Sequence, residues 1–376
     1  MISKENEDMI LIQGAGIAGL TLAALLQQKG QPYRLIDHVR VLRPVGAGLG
    51  LQANAQAILA RLGFQSALAE SGCWLSAMTL GPAQRPRRFA FDRGAKTLGV
   101  HRGQLHEALL SRVPTERLSL GVSVSRWHQG VQGVDVELSS GETQRVSHLI
   151  GADGIHSSLR EQLGKRGDLR VSHQWCWRTV LPGQPLGESG FEVFAGRHRL
   201  GAFPVGPNRT YLYWVESGLA RTPDNNARAL RQLARFGATA APLADCGSSD
   251  LTWLCHPLND RPVYWGLGNV ALIGDAAHPV TPNMGQGAAL AMEDAWILSR
   301  LLSSRQEPAA PGLRRRRQRR VQSVRRLSWL AGRMAHLHWQ PARWLRDQSY
   351  ARLPATQLLH SQNRFVNHFI EEMDHV

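Results

Sequence analysis

The 376-residue sequence is short of lysine and cysteine and contains no long apolar run. Because no run reaches the roughly 18 apolar residues that a membrane span needs, no transmembrane helix is predicted. The N-terminal segment MISKENEDM lacks the apolar stretch of a secretion signal, so we expect a cytoplasmic protein. Irregular cysteine spacing without a CxxC pair predicts neither a disulfide framework, nor a redox dithiol, nor a metal site. The cysteines are Cys73, Cys176, Cys246 and Cys255.

Near the N terminus the sequence contains a glycine-rich turn between a strand and a helix. The apolar run 9–12 predicts a buried parallel strand, and Gly14, Gly16 and Gly19 follow it with GxGxxG spacing. Good helix formers over 17–28 predict the helix. One glycine permits the tight turn, one lets a pyrophosphate approach the backbone, and one lets the helix pack on the strand. The helix N terminus adds free amide groups and a partial positive charge.

A second predicted strand, residues 33–36, ends at Asp37. A carboxylate at this distance from Gly19 is suited to bind a ribose hydroxyl. Strand, glycines, helix and acid together predict a dinucleotide-binding unit, but they do not distinguish NAD from FAD. A second GxGxxG, which an enzyme with two dinucleotide domains would need, is absent from the sequence; GAGLG at 46–50 has the wrong spacing and is interpreted as a loop.

Two further stretches, 149–160 (LIGADGIHSSLR) and 271–295 (ALIGDAAHPVTPNMGQGAALAMEDA), make the assignment more specific. Together with 10–20 (ILIQGAGIAGL), they resemble in order and spacing the motifs of the class A flavoprotein monooxygenases, the aromatic-ring hydroxylases related to p-hydroxybenzoate hydroxylase. The resemblance covers roughly residues 9–335. It implies an α/β fold: a Rossmann-like FAD-binding domain of the GR2 type, interwoven with a substrate domain on a mostly antiparallel β-sheet, plus C-terminal helices.

The resemblance also implies roles for individual residues. The Asp-Gly segment with Ser157 and Arg160 serves both FAD and NAD(P)H, Asp275 holds the FAD ribityl chain, and Arg102 contacts the FAD. His278 belongs to the loop beside the flavin ring. From motif and resemblance together, the predicted cofactor-binding residues are Gly14, Gly16, Ala18, Gly19, Asp37, Arg102, Asp153, Gly154, Arg160, Asp275, Pro282, Gly285 and Gly287.

Between about residues 169 and 265 the pattern changes to alternating segments broken by Gly, Pro and Asn, which predicts antiparallel strands. In the family such a sheet borders the substrate pocket. Residues two apart in a strand share a face, so Tyr211 and Tyr213 point together, as do Trp175 and Trp177. One aromatic pair is expected to line the pocket and the other to pack on a helix; the periodicity leaves open which.

Arg199 and Tyr211 are similar in position to an arginine and a tyrosine that bind substrate in bacterial FAD-dependent urate hydroxylase. Related patterns occur in family members with other substrates, so the substrate stays open. The predicted pocket residues are Arg178, Arg199, Tyr211 and Tyr213, and the predicted catalytic residues are Tyr211, Arg199 and His278.

The resemblance implies a single-component monooxygenase that uses NAD(P)H and O2 to hydroxylate or epoxidise an aromatic or conjugated small molecule through a flavin C4a-hydroperoxide. Two alternatives stay open: a flavin oxidase or dehydrogenase without oxygen insertion, and a non-catalytic FAD-binding protein. We expect a monomer or homodimer. The predicted division is an FAD-binding domain from 1–75, 98–165 and 266–305, a substrate domain from 76–97 and 166–265, and a helical region from 306–376.

The net charge of +15 is almost all arginine and is densest over residues 313–326. We interpret this run as the solvated face of a long helix and expect no nucleic-acid partner. Attraction of an anionic substrate or an NADPH phosphate, and binding to nucleic acid or a membrane, are the alternatives. The apolar stripe that would bury the opposite face is Leu313, Val321, Val324, Leu327 and Leu330.

Overall fold

The computed structural model describes residues 8–43, 46–91, 96–131, 133–218, 234–246, 251–304, 306–352, 366, 368–371 and 373. Most of the segment MISKENEDM lies outside the described residues, as do 353–365, 367, 372 and 374–376 of the C-terminal region predicted to be helical.

Nineteen strands form four sheets in this part of the chain. In chain order they are β1 (Ile10–Gln13), β2 (Tyr33–Asp37), β3 (Gly48–Leu51), β4 (Cys73–Trp74), β5 (Ala77–Pro82), β6 (Arg87–Ala90), β7 (Leu98–His101), β8 (Leu118–Leu120), β9 (Val124–Gln129), β10 (Val134–Leu138), β11 (Thr143–Val146), β12 (His148–Gly151), β13 (Gln174–Pro182), β14 (Ser189–Ala195), β15 (His198–Pro204), β16 (Arg209–Ser217), β17 (Leu254–Pro257), β18 (Gly266–Leu267) and β19 (Val270–Leu272).

The α-helices connect and cover these sheets. They are α1 (Ile17–Gln28), α2 (Ala53–Arg61), α3 (Gln65–Ser71), α4 (Arg102–Leu110), α5 (Ser158–Gln162), α6 (Gly287–Ser304), α7 (Ala309–Ala335) and α8 (Gln340–Arg352). Short 3-10 helices lie at Thr115–Arg117, Ala234–Thr239, Ala241–Cys246, Gly274–Ala276 and Pro282–Met284. Among the described residues, no helix is long and apolar enough to cross a bilayer.

The first sheet has the strand order β18-β19-β12-β1-β2-β8, with every pair parallel except β18 with β19. Strand β1 is buried along its whole length, as its apolar sequence requires in a sheet covered on both faces. Helix α1 is buried without interruption over residues 18–26 and packs between the sheet and α6. The carboxyl ends of β1, β2, β12 and β19 therefore meet at one edge, where the segments that follow them form the site.

The second large sheet has the order β17-β13-β16-β15-β14-β5-β6. Its pairs are antiparallel except β14 with β5. The mostly antiparallel sheet predicted for the substrate side is thus confirmed. Two three-stranded sheets, β3-β7-β4 and β11-β10-β9, complete the set; β7 contacts β15 and β3 contacts β16 of the second large sheet.

Two predictions about local structure need correction. GAGLG at 46–50, interpreted as a loop, contributes residues 48–50 to strand β3, because this strand pairs with β7 in register from Gly48 to Leu51. In α7, Leu327 and Leu330 are exposed, at 36% and 55%, whereas the other three members of the predicted stripe are buried. The apolar face of α7 therefore turns toward solvent near its C-terminal end.

Candidate active site

In the turn after β1, two of the three glycines are required by close approaches of the backbone, and the space beside Gly16 is open. Gly14 has a φ of +113°, and a Cβ there would lie 2.4 Å from the Ala152 carbonyl oxygen. A Cβ at Gly19 would lie 1.9 Å from the Gly14 oxygen, so α1 packs directly on the turn. A Cβ at Gly16 would meet no described atom within 4 Å. The space beside the second glycine is open, as a phosphate at the start of α1 requires.

Asp37, at the end of β2, holds the glycine-rich turn in shape. Its Oδ2 accepts a hydrogen bond from the Ala15 amide at 2.7 Å, and its Oδ1 accepts one from the Val39 amide at 3.0 Å. The ribose contact of Asp37 stays a prediction beside this supporting role. Ala18, also predicted to bind the cofactor, packs at the other end of the turn, where its Cβ lies 3.0 Å from an ideal Cβ at Gly274.

The Asp-Gly segment after β12 is fixed to β1 through Asp153. The Oδ2 of Asp153 accepts hydrogen bonds from Gln13 Nε2 at 2.8 Å and from the Ser158 amide at 2.9 Å. Its Oδ1 is buried without a hydrogen-bond partner among the described residues. Because a buried carboxylate oxygen is rarely left unpaired, this atom is a position for a ligand donor. Gly154 follows with a φ of +79°, which a non-glycine residue rarely adopts.

Arg160 supports the site from behind rather than facing a cofactor. Its Nη1 donates to the carbonyl oxygens of Ala276 and Ala277, at 3.1 and 2.8 Å. Its Nη2 donates to Asp168 Oδ2 and to the Pro262 oxygen, both at 2.6 Å. The guanidinium is fully buried in these contacts. The predicted direct cofactor contact of Arg160 is therefore corrected: the side chain joins the Asp-Gly segment to the loop after β19.

Asp275 lies in that loop and lines an internal cleft. Solvent reaches its side chain although protein surrounds it on most sides. Burial raises the pKa of this carboxyl, and the positive charges of Arg102 and Arg178 act in the opposite direction. Burial likewise lowers the pKa of Arg102, the predicted FAD-contacting arginine, against the attraction of Asp275. Asp275 and Arg102 therefore interact electrostatically, and Arg178 on the second large sheet acts on Asp275 as well. The contacts of Asp275 and Arg102 with FAD stay predictions.

The loop predicted to run beside the flavin ring, residues 278–287, is called the flavin loop; it contains a short turn and ends where a helix begins. Pro282 begins the 3-10 turn Pro282–Met284, and Gly285 ends it with a φ of +62°. Gln52 Nε2 donates to the Met284 oxygen at 3.3 Å, so the turn is fastened to the start of α2. Helix α6 begins at Gly287. The loop glycines stand where the backbone conformation and the start of the helix require them; their contact with flavin stays a prediction.

His278 does not face the site, which corrects its assignment as a catalytic residue. Its side chain is 1% exposed, and its Nε2 lies 2.5 Å from Asp294 Oδ2. The same carboxylate oxygen accepts a hydrogen bond from the Gly274 amide at 3.0 Å. The imidazole also packs against Trp265, with ring centroids 5.1 Å apart. His278 therefore anchors the loop of Asp275 to α6.

A buried ionic network lies behind the loop of Asp275, and the sequence did not predict it. Arg317, in the arginine-rich run, is 1% exposed and contacts Glu293 Oε2 at 2.6 Å and Asp294 Oδ1 at 2.8 Å. Arg320 contacts Glu293 at 2.6 Å, as does Asn54. Burial alone would raise the pKa of both carboxyls, but the cations around them outweigh it and lower both pKa values. The acidic pair in MEDA, opposite a basic helix, was the signal available in the sequence.

The predicted pocket residues share one face of the second sheet. In the register, Arg178 stands opposite Tyr213 on β16, and Phe203 stands opposite Tyr211. Arg199 stands two residues before Gly201, which is opposite Tyr213, so it lies on the same face. We call this face the tyrosine face; it carries Arg178, Arg199, Tyr211 and Tyr213.

The opposite face of the sheet is a separate apolar core. Trp177 and Trp214 stack there with ring centroids 4.4 Å apart, and Trp175 packs against the same cluster. Residues of the segment 234–246 cover them. The sequence left open which aromatic pair packs in the interior. The structure shows that the tryptophan pair lies in this core and that the tyrosine pair lies on the other face.

Tyr211 is enclosed where the second sheet meets β3. A Cβ at Gly48 would lie 2.4 Å from the Tyr211 Cβ, so only glycine fits there. The ring of Phe203 meets it edge-on, with centroids 5.2 Å apart. Burial raises the pKa of the Tyr211 hydroxyl, although Arg178 and Arg199 act in the opposite direction. The phenol therefore stays protonated at neutral pH and is equipped to donate a hydrogen bond rather than to serve as a base.

Arg199 links this face to the flavin loop. The side chain is 2% exposed, and its Nη2 donates to Asn283 Oδ1 at 2.6 Å. Its Nη1 lies 3.7 Å from Glu192 Oε1, and the other oxygen of Glu192 accepts a short hydrogen bond from the Tyr213 hydroxyl. Neither Glu192 nor Asn283 was predicted. A substrate contact by Arg199 stays a prediction, because these two side chains already engage much of its guanidinium.

The three segments fit an FAD molecule by their own geometry. Gly16 leaves room at the start of α1, Asp153 presents a buried unpaired oxygen among the described residues, and the carboxylate of Asp275 is reached by solvent and influenced by the charge of Arg102. By contrast, no group of three or more His, Cys, Asp or Glu side chains in the described ranges is placed to hold a metal ion.

Comparison with known proteins agrees with this geometry. A family profile described as an FAD binding domain matches residues 7–323. The 2-heptyl-3-hydroxy-4(1H)-quinolone synthase of Pseudomonas aeruginosa is 34% identical over 363 residues, covering 90% of this chain and 92% of its own length. The aurachin C monooxygenase/isomerase of Stigmatella aurantiaca is 32% identical, covering 80% of this chain and 82% of its own length.

Among solved structures, Klebsiella pneumoniae HpxO in complex with FAD and uric acid superposes with a TM-score of 0.84 at 23% identity, covering 95% of this chain and 96% of that one. At this identity the superposition shows the shared fold. The chain belongs to the FAD-binding family, and it is an FAD-dependent monooxygenase of the aromatic-ring hydroxylase type.

Proposed function

We propose that the protein hydroxylates a small heteroaromatic ring bound between the tyrosine face of the second sheet and the cofactor segments, with NAD(P)H and O2 as co-reactants. The observation that carries this proposal is the position of Arg178, which belongs to the tyrosine face yet interacts electrostatically with both Tyr211 and Asp275. A ring on this face would lie beside the segments that hold FAD, as oxygen transfer requires.

FAD supplies the electron transfer and oxygen activation when it is bound. The protein holds the FAD and orients the substrate beside it. The open turn at Gly16 would take the pyrophosphate, Asp275 would accept hydrogen bonds from the ribityl hydroxyls, and Arg102 would bind an anionic or carbonyl group. Arg160 and His278 contribute indirectly, because each fixes the loop that carries Asp275.

For the substrate we propose a bicyclic 4(1H)-quinolone or a similar ring with a carbonyl or phenolic oxygen. The neighbouring Cys176 sulfur raises the pKa of Arg178 against the effect of burial, and Tyr211 and Asp275 raise it further. The cationic Arg178 and the protonated hydroxyl of Tyr211 would both donate to such an oxygen. The relatives named for quinolone chemistry support this choice. We also propose that the protein is a monomer or a homodimer, that it is cytoplasmic, and that its domains have the boundaries given above.

The test is NAD(P)H oxidation by the FAD-loaded protein with 2-alkyl-4(1H)-quinolones, phenols, hydroxyquinolines, salicylate and urate, in the presence of labelled O2. We expect a quinolone to stimulate NAD(P)H oxidation strongly and to yield a product with one labelled oxygen atom. Oxidation that yields only hydrogen peroxide with every ring would reject the hydroxylase and favour an oxidase.

Substitution of Asp275 tests the cofactor side separately. Asp275→Ala removes the carboxylate from the cleft and leaves Arg102 and Arg178 without their shared counter-charge. We expect FAD to be lost on gel filtration, since charge-assisted hydrogen bonds are among the strongest polar contacts. Asp135→Ala, in an exposed ion pair on β10, is the matched control and should retain FAD. Equal FAD content in Asp275→Ala and the parent would mean that this carboxylate does not hold the cofactor.

A further inference from the structure

A group of large apolar side chains is exposed at the C-terminal end of α7 and along α8. Trp339, Trp344 and Leu345 are 67%, 64% and 62% exposed, and Leu330 and Met334 are 55% and 40% exposed. We call these five residues the C-terminal apolar surface. Single exposed apolar residues are ordinary, whereas a large exposed apolar patch is typical of an interaction site, and these five residues fall within sixteen positions of the sequence.

The orientation of α8 makes this surface unusual. Pro341, Trp344 and Leu345 stand at i, i+3 and i+4 and share one face of the helix, which is exposed. The other face packs inward through Arg346, which is 3% exposed and donates to the Met334 and Ala335 carbonyl oxygens. A helix on a soluble body normally buries its apolar face. Here the arginine is inside and the tryptophan is outside.

The inward face of α8 belongs to the wall of the substrate side. The guanidinium of Arg346 lies over the ring of Phe194 on β14, 4.1 Å from its centroid. Tyr350 meets the same ring edge-on at 5.3 Å and interacts electrostatically with Glu192 and Arg199. The exposed side of α8 is therefore one helix diameter from the face that carries the predicted pocket residues.

Positive charge surrounds the C-terminal apolar surface. Between residues 326 and 352 the sequence has five arginines and a single acid, Asp347, which pairs with Arg346 at 2.7 Å. Three of the arginines, Arg326, Arg333 and Arg352, are exposed. Tryptophan with arginine at its margin is the composition of helices that lie in the headgroup region of a membrane.

We propose that the C-terminal apolar surface docks on an anionic lipid surface, with α8 lying in the plane of the headgroups. The positive charge around this surface favours anionic lipid over a second copy of the chain. A second copy of this chain would bring the same arginines to the contact, and like charges across an interface are repulsive. Anionic headgroups complement the arginines, while the tryptophan and leucine side chains enter the boundary of the acyl chains.

This docking would present the substrate side to the bilayer, so that an apolar substrate could arrive from the lipid. The proposal is independent of which ring is hydroxylated, because lipid binding is measured without turnover.

The test is co-sedimentation of the full-length, FAD-loaded protein with vesicles of phosphatidylcholine alone or mixed with phosphatidylglycerol. We expect binding to the mixed vesicles, weaker binding to the neutral ones, and release by salt. The double variant Trp344→Ser/Leu345→Ser should bind at least about tenfold more weakly, because two large apolar side chains no longer leave water. The control Leu267→Ser removes a leucine of similar exposure, 59%, on β18 and should bind like the parent.

The double variant should keep its FAD content and its turnover of a water-soluble ring, which separates lipid docking from the proposed catalytic function. Absence of sedimentation with mixed vesicles, or unchanged binding by the double variant, would overturn the proposal. A concentration-dependent dimer that the double variant abolishes would assign the surface to a second copy and would overturn it equally.

Discussion

The cofactor side and the substrate side of this enzyme are built from different chemical groups. On the cofactor side, the shape of the segments after β1 and β12 depends on backbone: positive φ angles at glycine, close approaches of carbonyl groups and an amide held by Asp37. On the substrate side it depends on side chains, because Tyr213, Glu192, Arg199 and Asn283 hold one another across four elements. Backbone geometry tolerates few residue types, whereas a side-chain network can be exchanged for another of similar volume.

This difference suggests how one fold serves many substrates. A change on the cofactor side should affect folding or FAD retention, and a change on the substrate side should affect turnover with FAD retained. Polar side chains also link the two sides: Arg199 reaches the flavin loop through Asn283, and Arg178 acts electrostatically on Asp275.

The largest effect is expected for Gly14→Ala. The new Cβ would lie 2.4 Å from a backbone oxygen at a φ of +113°, so the turn and the Asp-Gly segment would have to move apart. We expect a loss of at least about 3 kcal/mol in the free energy of unfolding, measured by urea denaturation of the FAD-free protein.

Gly16→Ala is the matched control for that experiment. Its φ of −83° suits any residue, and its Cβ meets no described protein atom within 4 Å, so we expect a cost of about 1 kcal/mol or less. The methyl group would instead occupy the space for the pyrophosphate, so this variant should fold and fail to retain FAD. If Gly16→Ala retains FAD, the phosphate does not approach the turn at this glycine.

An effect of similar size is expected for Arg317→Met, which tests the buried ionic network behind the loop of Asp275. It would leave Glu293 and Asp294 buried with less counter-charge, at a cost of about 3–5 kcal/mol in stability. Arg319→Met, on the exposed side of the same helix, should stay within about 0.5 kcal/mol of the parent. Equal unfolding midpoints for the two variants in urea would mean that burial of Arg317 contributes nothing.

What the sequence predicts well also differs between backbone-defined segments and side-chain networks. The strand, glycine turn and helix at residues 10–28 could be predicted closely, because φ angles and close approaches permit few residue types. The antiparallel sheet and the shared face of Tyr211 and Tyr213 also followed, because a strand has a fixed period of two.

What could not be predicted depends on contacts between residues far apart in the chain. Arg317 lies in a run that looks solvated, and only the packing of α7 on α6 makes it a buried counter-ion. His278 sits in the right loop, but the carboxylate of Asp294 turns it away from the site. Exposure of Leu330 likewise depends on which face of α7 the body covers.

The free energy of unfolding should depend on pH through His336, which contacts Arg197 and Ser217 on the substrate side. Burial, chiefly, lowers the pKa of His336 to about 3 from its usual 6.5. Between these values the unfolded chain binds a proton that the folded protein does not, so stability is complete above pH 6.5 and falls toward pH 3. At pH 5 the loss should be about 2 kcal/mol. His336→Asn should remove this slope between pH 6.5 and 5, whereas His338→Asn, at an exposed neighbour, should keep it.

The smallest effect is expected for Tyr213→Phe, which deletes the hydroxyl that donates to Glu192. Loss of one hydrogen bond to a charged acceptor should lower stability by about 1–2 kcal/mol and leave FAD content unchanged. Without the Tyr213 hydroxyl, Glu192 should interact more strongly with Arg199, and Arg199 should in turn shift the flavin loop through Asn283. A larger share of the NAD(P)H oxidised should then yield hydrogen peroxide instead of hydroxylated product. Tyr33→Phe is the control on the cofactor side, because its buried hydroxyl has no hydrogen-bond partner among the described residues. Unchanged coupling of NAD(P)H oxidation to product in Tyr213→Phe would confine the tyrosine to packing and leave Arg178 and Tyr211 as the substrate contacts to test.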